Sequence, residues 1–369
     1  MTTEVADIGV ATARTGIIGG GFMARVHAHA ARSAGAPLVA IATSSPTSAR
    51  RAAAELGFAH AADSAADLLR DRDVAVVHVC TPNTTHADLA LAALEAGKHV
   101  VCEKPLATTV AQAELLARAA AESGLVAAVP FVYRYHPMVR EARDRIAHGA
   151  VGTLLSLDCA YLQDWMLLPD DDDWRVDPDA GGPSRAFADI GSHLCDLVEF
   201  VTGERIARLV ARTRTVFPER GGRPVQTEDI AALLVETESG ALGTLLISQM
   251  AAGRKNALTL ELHGSAESIR FAQENPEELW IGMREGSQSL LRDPATASGA
   301  SARMQVLPAG HPLGYQDAFN AFVADVHAAV AGSVPEGMPT FADGLRAAQL
   351  TEAVLASAAS GAWIEVPHE

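Results

Sequence analysis

Basic charge is scarce in this sequence. Of 369 residues only 29 are Lys or Arg, against 45 Asp or Glu, so the formal charge is −16. That excludes nucleic acid as a partner, because phosphate binding needs clustered basic charge. It argues equally against anionic membrane surfaces. Lysine is rarest of all: Lys98, Lys104 and Lys255 are the only three. Aromatics make up 5% of the chain, so a core must be built from small aliphatic side chains. The four cysteines, Cys80, Cys102, Cys159 and Cys195, show no CxxC spacing. This excludes a zinc ribbon or redox pair and fits a reducing compartment. No apolar run reaches the ~18 residues of a membrane span. Residues 1–14 lack the basic and apolar regions of a signal peptide. A soluble, cytoplasmic protein is expected.

What remains is a chain able to bury a large core. Charged residues are 20%, too few for a disordered composition, and the length suits two domains. Short apolar strands are read at 15–18, 37–42, 74–79, 99–102 and 125–129. Helices are read between them at 22–33, 46–56, 84–96 and 108–123, several closed by glycine. Strands apolar throughout, alternating with helices, predict a parallel sheet covered on both faces. The fold class is therefore α/β, with an N-terminal doubly wound domain over 14–134. Past Tyr135 the pattern changes. After a helix at 137–148 come strand-like segments at 153–162, 206–217, 230–236, 241–249, 257–263 and 268–271, separated by short turns. They predict antiparallel sheet in a second, α+β domain over 135–369. Helices at 315–331 and 343–357 and a strand at 363–366 end the chain. Residues 284–308, polar and rich in Ser and Ala, read as a loop, and no repeats are present.

Gly19-Gly20-Gly21-Phe22-Met23-Ala24 reads as G-x-G-x-x-A between the first strand and first helix. Gly19 permits the tight turn, Gly21 lets backbone approach a pyrophosphate, and Ala24 allows close helix–strand packing. In this context the motif indicates a dinucleotide; the plain alternative is a glycine turn. A ribose-binding acid is expected ~20 residues on. Thr43, Ser44 and Ser45 stand there instead. Hydroxyls suit a 2′-phosphate at least as well as a 2′-OH, and Arg50 or Arg51 could add charge, so NADP is slightly favoured over NAD.

Thr81-Pro82-Asn83 ends the third strand and Cys102-Glu103-Lys104-Pro105 the fourth, where ligands bind in such sheets. Asp189, His193 and Asp196 share one stripe of a predicted helix, and a carboxylate at i−4 can orient an imidazole. Each has a plainer reading: a surface lysine, an N-cap, a buried histidine, a structural acid. His193 and Asp196 with the acidic run 170–173 are a conceivable metal set, but that run reads as a solvated loop and no metal is expected.

GIIGGGFMARVHAHA at 16–30, TPNTTH at 81–86, EKP at 103–105, YRYHP at 133–137, ADIGSHLCD at 188–196 and FADGLRAAQL at 341–350 resemble the Gfo/Idh/MocA family, that of glucose–fructose oxidoreductase and inositol dehydrogenase. The resemblance runs from about Arg14 to the C-terminus. It implies a nucleotide domain followed by an α+β domain with an open-faced, mostly antiparallel sheet. That sheet is expected to make a homodimer or homotetramer, with the substrate between the domains. Lys104, Asp189 and His193 correspond to the family's catalytic positions. The resemblance and the motifs together give a cofactor set of Gly19, Gly21, Phe22, Met23, Ala24, Thr43, Ser44, Ser45, Arg50, Thr81, Pro82, Asn83, His86, Glu103, Lys104, Trp174 and Arg175. The segments around Tyr161–Trp165 and Trp174-Arg175 are similar to members acting on pyranose-type sugars such as levoglucosan. Tyr161, Gln163, Asp164 and Arg185, with Lys104, Asp189 and His193, would meet a polyhydroxylated substrate, and Trp165 or Trp174 would offer an aromatic face. Pro183-Ser184-Arg185 stands where many members have a third glycine. The implied reaction is hydride transfer between nicotinamide and a secondary hydroxyl or keto group of a sugar, sugar derivative or cyclitol. A glycosidase using bound NAD transiently, and a nucleotide-sensing regulator, are the alternatives. The presence of Lys104 and His193 weighs against the regulator.

Overall fold

The computed structural model describes residues 13–367. The leader reading of residues 1–14 falls almost wholly outside them.

Six parallel strands form the first sheet, in the order His60–Ala61, Leu38–Ala42, Thr15–Ile18, Val76–Val79, His99–Cys102, Ala127–Ala128. The central strands are buried on both faces, as their unbroken apolar runs require. Chain order reverses between Thr15–Ile18 and Val76–Val79, which opens a crevice at their carboxyl ends. A short helix, Ala65–Arg70, and the edge strand His60–Ala61 went unread in the sequence because neither carries a long periodic pattern.

The second sheet has nine strands. At its centre Leu154–Leu162 pairs in parallel with Leu242–Ser248, and the other neighbours are antiparallel. Alternation sets its faces: Leu157, Cys159 and Tyr161 point into the core with Leu233, Val235, Leu245 and Ile247. Leu234, Leu242 and Leu246 stay exposed on the opposite face. The loop reading of 284–308 is corrected. Glu278–Met283 and Gly286–Leu291 form a hairpin at the sheet edge, and Gly299–Ala302 is a helical turn. The outer strand is polar and nearly all exposed, so its pairing comes from its neighbour rather than from any apolar pattern of its own.

The last long helices stitch the two sheets together. Phe319, Phe322 and Val323 of Tyr315–Val330 pack into the nucleotide domain with Ala24 and Ala28. In Phe341–Ser360, Phe341 and Ala347 join the nucleotide core while Leu350 and Val354 join the second. Segment 135–369 thus contributes to both cores.

Three buried histidines give this fold a pH signature. Burial holds His136 and His327 at about 4 and, with the Lys104 charge, His193 at about 3. The unfolded chain takes up these protons near ~6.5 whereas the native one does not, so stability is present above that value and is lost as pH falls through the window below it. The urea midpoint should therefore drop between pH ~6.5 and ~4. A midpoint flat across that window contradicts the burial of these rings.

Candidate active site

The crevice is a cleft of about 1350 Å³ running from the glycine turn to the second sheet. At its mouth Gly19 takes φ +122°, and a Cβ there would lie 2.2 Å from the Cys80 carbonyl oxygen, so only glycine fits. Gly21 precedes the helix Phe22–Ser33 with no side-chain cap, and a Cβ there would meet nothing within 4 Å. Uncapped helix N–H groups beside an open glycine make a cradle for pyrophosphate, so these residues fit a dinucleotide.

The ribose corner needs revision. Thr43 and Ser44 line the cleft, but Ser45 caps the helix Pro46–Leu56, accepting from Ser48 N at 3.2 Å. Arg50 turns to Thr47 and lies away from the cleft; Arg51 lines it instead. Arg51 and Arg25 flank one acid, Glu55, at 3.9 and 3.7 Å. Ala24 is fully buried, in its packing role.

Deeper in, His86 joins the two strand ends, its nitrogens 2.7 Å from the Pro105 carbonyl and 2.9 Å from that of Thr81. Asn83 donates across the domain boundary to Gly181 O at 2.9 Å. Lys104, preceding a cis proline, reaches Asp189 with Nζ 2.6 Å from Oδ1 and 2.8 Å from the backbone oxygen. Burial opposes charge on Asp189, but Lys104 and then Arg175 hold its carboxyl down at about 2. The other two lysines do other work: Lys98 donates to buried carbonyls and Lys255 pairs with Asp164 at the surface.

Asp189 does not sit on a regular helix. It lies in a π-helical turn, Phe187–Gly191, that leads into Ser192–Thr202. Such turns recur at functional sites. Buried Glu228 anchors its start, accepting from Ser184 Oγ, Arg185 N and Phe187 N at 2.7–3.1 Å. His193 follows, with Phe131 and Tyr133 edge-on to its ring. Its Nδ1 is buried without a partner, so Nε2 is the ring nitrogen nearer the cleft. The expected third member of the stripe is corrected. Asp196 turns away and is held by Arg134, which also binds Asp343 at 2.7 Å. An acid packed against a buried guanidinium belongs to the fold.

Two expected substrate residues also lie elsewhere. Arg185 is 1% exposed and ion-paired with Asp229, which Arg220 binds as well at 3.1 Å. Asp164 pairs with Lys255 at 2.7 Å outside the cleft. The acidic run is likewise committed: Asp172 pairs with Arg223, and Asp173 caps a turn and binds Arg175. Tyr161 and Gln163 do line the cleft, bonded in one network with two residues the sequence reading missed, Tyr133 and Asn256. Trp165 donates to Gln163 beside the cleft, whereas Trp174 lines it under the Arg175 guanidinium. Gln249 was also missed. Fully buried, it donates to Asp189 Oδ2 at 2.9 Å. Neither it nor Asn256 carries any local signal; only strand pairing brings them here.

A doubly wound sheet whose crevice carries a dinucleotide cradle and a lysine–aspartate–histidine group defines a nicotinamide-dependent oxidoreductase acting on CH–OH groups. Comparison with known proteins agrees. Residues 13–131 match the oxidoreductase family with an NAD-binding Rossmann fold, and residues 139–270 match the GFO/IDH/MocA C-terminal domain. The chain is 34% identical to levoglucosan dehydrogenase from Pseudarthrobacter phenanthrenivorans, covering 96% of this chain and 98% of that one. Inositol 2-dehydrogenase 2 from Saccharopolyspora erythraea is 29% identical, covering 96% of each. Among solved structures, an oxidoreductase domain protein from Kribbella flavida superposes with TM-score 0.91 at 38% identity, covering 97% of this chain and 100% of that one. Levoglucosan dehydrogenase in complex with NADH and levoglucosan gives TM-score 0.91 at 32% identity and the same coverage. The chain belongs to the Gfo/Idh/MocA family of oxidoreductases.

Proposed function

We propose that the protein oxidises a secondary hydroxyl of a pyranose-type sugar or anhydrosugar, with NAD as the cofactor. The observation that carries this is the 2.6 Å Lys104–Asp189 pair set beside His193 at the inner end of a dinucleotide cleft. When bound, NAD supplies the hydride acceptor. Gly19, Gly21 and the helix N-terminus seat its pyrophosphate. His193, held neutral, accepts the hydroxyl proton. Lys104 donates to the same oxygen and stabilises the charge that develops there. Asp189 keeps Lys104 aimed. Tyr161, Gln163, Tyr133 and Asn256 offer hydroxyl and amide groups to the sugar, and Trp174 an aromatic face.

NAD is preferred to NADP here because Glu55 compensates Arg51 and Arg25 at the ribose corner and, of the two arginines the NADP reading named, Arg50 points away. The complexes of related dehydrogenases with NADH or NAD+ support the same choice. The exposed Leu234, Leu242 and Leu246 favour a homodimer through the open sheet face. Among the described residues no helix is long and apolar enough to cross a membrane. A panel of levoglucosan, aldopyranoses and inositols with each cofactor tests the reading by absorbance of the reduced cofactor. Oxidation of at least one pyranose with NAD, at higher kcat/KM than with NADP, is expected. Activity confined to inositols, or to NADP, contradicts it.

A further inference from the structure

The floor of the cleft holds a buried chain of titratable groups that the proposed reaction leaves unused. His27 lies on the helix Phe22–Ser33 and His78 on the strand Val76–Val79, both 0% exposed. Their Nδ1 atoms are 2.7 Å apart, and His27 Nε2 is 2.8 Å from Glu103 Oε1. The other carboxylate oxygen of Glu103 accepts the Lys104 backbone N–H at 3.1 Å. Three side chains from three elements thus form one line that ends at the lysine. Phe319 closes over His27, its ring centroid 4.6 Å away.

The donors in this line can be assigned. A carboxylate only accepts, so His27 Nε2 carries the hydrogen. Of the two facing Nδ1 atoms one must donate. His78 Nε2 is buried with no partner. Buried N–H groups left unpaired are rarer than unpaired acceptors. The bare nitrogen of His78 is therefore Nε2, and its Nδ1–H donates to His27. Both rings are then neutral, and each hydrogen bond points toward Glu103. Burial pushes His78 well below its ordinary range. On Glu103, burial alone would raise the carboxyl, but the hydrogen bond from His27 and the charge of Lys104 hold it below its ordinary value. Lys104 and His86 flank the line at the Glu103 end, and His327 faces it at the His78 end.

We propose that His27 and His78 are positioning residues, a relay of two neutral imidazoles that holds the Glu103 carboxylate aimed and through it fixes the backbone of Lys104. Only the kinetic half of the test rests on the dehydrogenase reading. Nitrogen-15 NMR of the histidine side chains in the purified protein at neutral pH reads the relay directly. His27 should appear as the Nε2–H tautomer and His78 as the Nδ1–H tautomer. An imidazolium at His27, or the opposite tautomer at either ring, overturns the relay whatever substrate the protein takes.

The kinetic half compares His27→Leu with His27→Gln. Leu fills space without a donor, whereas the Gln amide can still donate to Glu103. Packing alone favours Leu, because a buried amide with unmet polar atoms costs more than an apolar group. The relay predicts the reverse order in turnover. His27→Leu should lower kcat by roughly 10- to 100-fold, the range for misplacing a reacting group, while His27→Gln recovers most of it. Equal activities, or a more active Leu variant, overturn the proposal. Should either variant fail to fold, His78→Phe keeps a ring of similar breadth and removes the terminal donor. Its kcat should fall several-fold at unchanged sugar KM, and an unchanged kcat overturns the relay. Absence of any NAD-linked sugar oxidation by the wild type would instead sink the dehydrogenase reading, and the NMR result would still decide the relay.

Discussion

Replacing Lys104 by Met should lower kcat about 10²- to 10³-fold with the fold intact, the loss typical of removing a donor that stabilises a developing oxyanion. Met keeps an unbranched apolar stem one atom shorter and loses the charge. The Nζ atom contacts Asp189 twice, at 2.6 and 2.8 Å, and both contacts vanish together. Two pKa values then move in the same direction. The Asp189 carboxyl loses the strongest cationic partner holding it down, and His193 loses the Lys104 charge that adds to burial in lowering it, so both rise. A lysine that merely neutralised Asp189 would show itself in the urea midpoint and leave kcat nearly unchanged. Steady-state kinetics beside a denaturation curve separates the two, and a Lys104→Met enzyme of full activity refutes the role assigned to it.

His193→Ala should cost a comparable factor, on a different ground. His193 is buried, edge-on to Phe131 and Tyr133, and held at about 3 by burial first and the Lys104 charge second. It is therefore neutral across the working range and ready to accept a proton. The wild-type kcat/KM profile for oxidation should show no acid limb at the ordinary histidine value of ~6.5, because the free enzyme's base titrates well below it. His193→Ala should lose turnover about 10²- to 10⁴-fold at every pH while the affinity for NAD changes little. A drop in NAD affinity with kcat preserved would make His193 a binding residue and overturn its role as base.

Much of this site was legible because its signals are local. Gly19, Gly21 and Ala24 sit within six consecutive residues, and each answers a steric demand of one turn. Lys104 stood out by scarcity and by its place at a strand end. Asp189 and His193 were found at the right spacing, although the π-helical turn that carries Asp189 was not foreseen. Long-range pairing was invisible. Asp196, Arg185 and Asp164 look like site residues in sequence, and each is claimed by a partner from a distant segment: Arg134, Asp229 and Lys255. Asn256 reaches the cleft, and Gln249 reaches Asp189 behind it, only through strand register, which no local pattern records. The hairpin at 278–291 was missed for the same reason, since an exposed edge strand is specified by its neighbour. Arg50 and Arg51 are adjacent on one helix, and only the helix phase decides which of them faces the ribose corner.

The central claim is that this chain's cleft moves a hydride from a sugar carbinol carbon to NAD as a net reaction. Mass spectrometry of the cofactor after incubation with ring-deuterated levoglucosan tests it most directly. Wild-type protein should yield NADH carrying one deuterium for each keto-sugar formed, and Lys104→Met almost none. A hydrolysed or rearranged sugar with no accumulation of NADH would contradict the claim and place the chain among enzymes that oxidise their substrate only transiently.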